Sequence, residues 1–290
     1  MEEIKIKRIK VGLIWSESFK MMVKQPRIFL PYFTLILLEI LFLIFLFLNY
    51  LPIFSPLLSP PIKVFFGESY LHYPSNLVIL PTIFDYVDLI LVLIFAPLIS
   101  GMTVRMVYQS AEGHKPEIFN NILPVLKKYL ILLGLWIIVT ILVFTIFYLG
   151  KFLVSEFYTK EISKTIHIPT WRMSRLMEYF CFFLTLVIET FFAFCIPIVI
   201  IENKKILASI KTSFKMSLSL FLVTFILICM PNILNNIIVL IKQKVLTLLM
   251  DNFFPEIVFV IMGAGFLVYL ITQVLQITSL TLVFLKKGSV

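Results

Sequence analysis

Residues 35–51 read LILLEILFLIFLFLNYL. Apart from Glu39, Asn49 and Tyr50 the run is aliphatic or Phe, and it lacks the polar–apolar alternation that a barrel strand requires. Such a stretch suits hydrocarbon only as an α-helix, in which every backbone group bonds within the segment. Five others share its character. Together they predict spans over 28–52, 83–107, 129–153, 178–201, 216–241 and 256–285, each long enough for a hydrocarbon core of about 30 Å.

The remaining composition agrees. Of 290 residues, 60% are hydrophobic and 14% charged, with a mean hydropathy of +1.04. A soluble domain carries about 25% charged residues, so a water-facing globule is excluded and lipid is the solvent. The net charge of +9 does not indicate nucleic acid, because the lysines flank the spans and are not interleaved with aromatics. Most of them fall in the N-terminal segment, in the loops near 108–128 and 202–215, and in the tail. With six spans these segments share one side, which the positive-inside rule makes cytoplasmic, so both termini are expected inside. That basic face suits an anionic leaflet. The first apolar run is too long for a signal-peptide core and is expected to remain as a span. Cys181, Cys195 and Cys229 lie within spans and read as small apolar residues.

Between the spans a pattern repeats. SFKM occurs at 18–21 and again at 213–216, and the residues around it match as well. Val11, Trp15 and Phe19 form one helical stripe, followed by Lys20; a shift of 195 brings Ile206, Ile210 and Phe214, followed by Lys215, while Lys10 meets Lys205. A third copy is Ile118, Ile122 and Leu126, followed by Lys127, with Pro116 suited to a first helical turn and Pro124 expected to bend the helix. Each copy precedes an odd-numbered span. The expected fold is therefore all-α, a single integral membrane domain over 1–290 with six transmembrane helices as three helical hairpins. Each hairpin is preceded by a cytoplasmic amphipathic helix, in units of about 9–108, 116–201 and 204–285. Lys10, Trp15, Phe19, Lys20, Lys127, Lys205, Phe214 and Lys215 are the expected membrane-interface residues.

The segments IVIIENKKILASIKTSFKMSLSLFLVTF and YQSAEGHKPEIFNNILPVLKKYLILLGL resemble a group of prokaryotic six-helix membrane proteins. That group is similar to the membrane domain attached to some glycerophosphodiester phosphodiesterases. The shared layout is an acidic residue after the fourth span, here Glu202, then a short amphipathic helix with Ser213 and a basic residue, then the fifth span. The resemblance implies a multi-pass protein of a prokaryotic plasma membrane. It implies no catalysis, because the phosphodiesterase activity belongs to a separate soluble barrel for which this chain has no room.

Polar residues inside spans are the pointers to chemistry, since a carboxylate at the bilayer centre costs about 2.5–3.5 kcal/mol on insertion scales. Glu39 and Glu189 lie mid-span and could form a proton or cation site, or could each be hydrogen-bonded across helices. Asp85 and Asp88, one turn apart, form a candidate outer cation site, though they also suit an acidic first turn. His72 and His167 show no ligand spacing, so no metal is expected. In CMPNILNN, Pro231 with Asn232, Asn235 and Asn236 suggests a kinked span whose amides bond to neighbours. No nucleophile elbow, Walker loop, dinucleotide-binding glycine run or HExxH occurs, and no cofactor is expected.

These readings favour a non-enzymatic accessory, scaffold or membrane-organising component. Its expected partners are the bilayer, including anionic lipids, and a protein partner or second copy. The alternative is a transporter or channel-like protein for a small solute or ion using Glu39 and Glu189.

Overall fold

The structure, a computed structural model, describes residues 10–48, 55–72, 75–158, 170–251 and 257–288. Among these residues 92% are helical and none forms a strand. Six helical stretches are long and apolar enough to cross a membrane: Pro26–Phe47, Ser75–Ala111, Tyr129–Glu156, Arg172–Glu202, Phe221–Ile241 and Phe259–Lys287. Helix α1 (Val11–Lys24) precedes α2 (Leu30–Phe47), and α3 (Ser55–Phe65) precedes the long α4 (Ser75–Ala111). They are followed by α5 (Ile118–Leu126), α6 (Tyr129–Leu153), α7 (Thr170–Phe192), α8 (Cys195–Glu202), α9 (Ile206–Ser219), α10 (Phe221–Asp251) and α11 (Ile257–Gly288).

Helices α2 and α11 pack along α4, α6 packs on α7 and α4, and α10 packs on α11 and α7. Apolar side chains gain little by leaving lipid for one another, so close backbone approach carries more of the association. Gly101 in α4 provides it: a Cβ there would stand 2.8 Å from Val125 and 2.9 Å from Leu132. Gly150 plays the same part where α6 meets Cys181 of α7.

The three short helices α1, α5 and α9 gather around the ends of α4, α8 and α11. Ile14 and Met216 share a core with Phe194 and Val283, and Val125 shares one with Val199 and the flanking Ile206 and Ile210. In all three the predicted stripe divides in the same way. Val11 and Trp15, Ile118 and Ile122, and Ile206 and Ile210 are half-buried against the bundle. The third member of each stripe is more exposed, with Phe19 47%, Leu126 48% and Phe214 46% exposed, although the Phe214 ring also stacks on Phe191 of α7 with centroids 4.5 Å apart. Lys10, Lys20, Lys127, Lys205 and Lys215 are exposed too.

The line turned most fully inward is a different one, and it is partly polar: Ile14, Ser18 and Met22 in α1, Asn121 and Val125 in α5, and Ser209, Ser213, Met216 and Ser217 in α9. Both serines of the repeated SFKM are thus wholly buried. Ser18 Oγ donates to the Ile14 carbonyl at 2.7 Å and meets Ser279 Oγ of α11 at 2.9 Å. At the exposed rim Lys286 of α11 pairs with Glu17 of α1 at 2.5 Å.

Ser213 and Ser217 answer a local need. The fourth span is interrupted at Ala193–Phe194, between α7 and α8. Pro197 contributes, since it has no N–H for the Ala193 carbonyl and its ring crowds that carbonyl. The interruption frees backbone groups that lipid cannot satisfy. Ser213 Oγ donates to the Phe191 carbonyl at 2.7 Å and accepts from the Phe194 N–H at 3.2 Å, while Ser217 Oγ donates to the Thr190 carbonyl at 2.7 Å. Pro97 in α4 is treated more simply: the helix continues, and Tyr129 Oη donates to the nearby Ile94 carbonyl at 2.9 Å.

Ser213→Ala strands a buried acceptor and a buried donor at once. It is expected to lower unfolding stability by about 1–3 kcal/mol, whereas Ser16→Ala, at an exposed position of α1, should change it by less than about 0.5 kcal/mol. Unfolding of the detergent-purified protein, followed by helical circular dichroism, measures both.

Candidate functional site

The six spans enclose a cavity of about 470 Å³, and every one of them contributes to its wall: Tyr32 from α2, Ser100 from α4, Trp136 from α6, Glu189 from α7, Asn232 from α10 and Gln276 from α11. Most of the lining is apolar, including Val92, Leu135, Val139, Phe192 and Ile228. Polar groups are few and placed by the helices that carry them. Tyr32 Oη meets Ser100 Oγ at 2.9 Å, and its ring packs edge-on against Tyr269, with centroids 6.4 Å apart. The amide oxygen of Gln276 is buried without a hydrogen-bond partner. Apolar walls with a small number of fixed polar groups are the usual character of a small-molecule site.

Glu189 is half-buried on the cavity wall and accepts a hydrogen bond from Asn232 Nδ2 at 2.9 Å. The same amide nitrogen donates to the Ile228 carbonyl at 3.1 Å, one turn back along α10. The run CMPNILNN therefore divides its amides by direction. Asn232 faces α7, Asn235 Oδ1 accepts from Thr272 Oγ1 of α11 at 2.9 Å, and Asn236 is exposed and donates back to the Asn232 carbonyl. Helix α10 runs through Pro231 without interruption.

Glu39 and Glu189 do not share a site. Glu39, 2% exposed, lies between α2 and α4 and outside the cavity lining, where it shares a hydrogen bond with Asp88. The second oxygen of Glu39 is buried without a partner. Of the expected Asp85–Asp88 site, Asp88 is half-buried and bonded to Glu39, and Asp85 is exposed. Tyr269, on the cavity wall, stands within electrostatic reach of both Glu39 and Asp88.

Among the described residues no cluster of three or more His, Cys, Asp or Glu could hold a metal ion. His72 is exposed, and His167 lies outside the described residues. The tyrosines and Trp136 of the wall passed unnoticed in the sequence, since an aromatic within an apolar run carries no signal of which way it faces. Gln273 and Gln276, polar residues where a lipid-facing span needs none, were the available signal.

No protein-family model, curated protein or solved structure matches this chain.

Replacing Asp88 by Leu leaves both oxygens of Glu39 unbonded. It is expected to destabilise by about 1–3 kcal/mol, and the double variant Glu39→Leu/Asp88→Leu should recover most of that loss. A double-mutant cycle of thermal unfolding reads the coupling, which vanishes if the two groups act independently.

Proposed function

We propose that this multi-pass membrane protein binds, and carries across or within the bilayer, a small and largely apolar molecule with one hydrogen-bonding end. The observation that carries this reading is the cavity to which all six spans contribute, with the Glu189–Asn232 pair on its wall. An apolar body would rest against Val139, Phe192 and Ile228, and its polar end would meet Glu189 or the unpartnered Gln276 oxygen. A scaffold has no use for a cavity of this size, and so the solute-handling alternative is preferred to the accessory role. Glu39 takes no direct part; its bond to Asp88 holds α2 against α4 behind the two tyrosines.

The architecture belongs to the same proposal. Three units, each an amphipathic helix followed by two spans, place α1, α5 and α9 at the cytoplasmic interface of a prokaryotic plasma membrane, with both termini inside. The shared division of the three stripes supports this. The outward Phe19, Leu126 and Phe214 meet lipid, and the exposed lysines meet headgroups. The role is proposed as non-enzymatic.

Small molecules that copurify with the protein can be extracted and identified by mass spectrometry. Thr140→Trp, which fills the cavity from α6, is expected to lose the wild-type ligand at least about tenfold, and Glu189→Gln to weaken it by about the strength of one hydrogen bond, 0.5–1.5 kcal/mol. Identical extracts from wild type and a folded Thr140→Trp variant would remove the basis for the proposal.

A further inference from the structure

A second pocket, of about 340 Å³, opens between α4, the start of α6 and the end of α8, at the end of the bundle that carries α1, α5 and α9. Arg105 and Lys128 both line it. The guanidinium is fixed from behind: its Nε donates to Asn121 Oδ1 at 2.7 Å, and the wholly buried Asn121 is held in turn by donating to Gln109 Oε1 at 2.8 Å. Lys128 Nζ donates to the carbonyls of Val199 and Ile200 at 3.1 and 2.8 Å, at the last turn of α8. Both cations are thereby anchored with donors to spare: the two terminal amino groups of Arg105 and one N–H of Lys128 have no protein partner among the described residues.

Two like charges held together in a partly buried pocket are an arrangement that needs a counter-charge. Burial, and then the neighbouring Arg105, push the Lys128 amine below the ordinary lysine value. One carboxylate, Glu112, also lines the pocket, but it is hydrogen-bonded to Tyr108. Among the described residues it makes no ion pair with Arg105 or Lys128 within 4.0 Å. A planar guanidinium fork beside an ammonium suits a tetrahedral oxyanion, which accepts several hydrogen bonds at once. Asn203 adds an amide at the rim.

We propose that the pocket between α4, α6 and α8 binds a phosphate-bearing anion through Arg105 and Lys128. The site is separate from the central cavity, so it stands or falls independently of the solute reading. The phosphate belongs either to a lipid headgroup or to a free phosphate.

The test uses the full chain in detergent. Native mass spectrometry compares retention of phosphatidylglycerol with that of diacylglycerol, which has no phosphate, and thermal unfolding is followed with inorganic phosphate against chloride at equal ionic strength. Wild type is expected to retain phosphatidylglycerol preferentially, to be stabilised by inorganic phosphate, or both. Retention without stabilisation identifies a headgroup site, and stabilisation by inorganic phosphate identifies a site open to free phosphate. Arg105→Gln and Lys128→Gln should each weaken the effect at least about fivefold, Arg105→Lys less, and Lys63→Gln, at an exposed position of α3, not at all. Because Lys128 also caps α8, its variant could unfold, and Arg105→Gln then decides alone. Wild type that responds to neither probe, or an Arg105→Gln protein indistinguishable from Lys63→Gln, overturns the proposal.

Discussion

In hydrocarbon a backbone carbonyl without a donor has nowhere to turn, and the fourth span breaks in the middle of its passage. Pro197, four residues after Ala193, contributes to the break by removing an N–H and crowding the Ala193 carbonyl. Two hydroxyls from α9 take up what is released: Ser213 as donor and acceptor together, Ser217 as donor. The consequence reaches beyond the break. Helix α9 is fixed by the bonds of its serines to α7, and so the start of α10 is set against the same span. That contact brings Asn232 of α10 to Glu189 of α7.

The same economy explains the cavity. Spans held at a few polar points and close glycine contacts need not fill every space between them. Gly101 draws α4 onto α5 and α6, and Ser18 with Ser279 draws α1 onto α11. Where the helices diverge from these contacts, Tyr32, Trp136 and Phe192 surround open volume. Glu39, bonded to Asp88, is buried outside the cavity lining, whereas the Glu189–Asn232 pair sits on the cavity wall. Two mid-span carboxyls of the same residue type thus have different surroundings because their partner helices differ.

Much of the architecture was legible. Hydropathy alone located the spans, although α4 begins at Ser75, earlier than the expected start near 83, and the fourth span is two helices rather than one. The stripe and lysine of each short helix were visible by periodicity. The serine within SFKM was visible only as a letter, because a hydroxyl at an interface reads as solvent-facing until a broken helix is found beside it. The site was less legible. Glu39 and Glu189 stood out as costly residues, but their separation depended on which helix lies next to which, and Arg105 with Lys128, 23 positions apart in the chain, gave no local pattern.

Composition and periodicity determined by themselves that this chain is helical and suited to lipid, because the cost of unpaired backbone in hydrocarbon leaves a run such as 35–51 little choice. They also marked the residues whose presence needed a reason. Tertiary structure alone decided the pairings: Glu39 with Asp88, Glu189 with Asn232, Ser213 with the break at Phe194, and Arg105 beside Lys128. The physical reason is range. Solvent preference acts on each residue where it stands, whereas a hydrogen bond of about 3 Å exists only after packing has brought two distant helices to that distance.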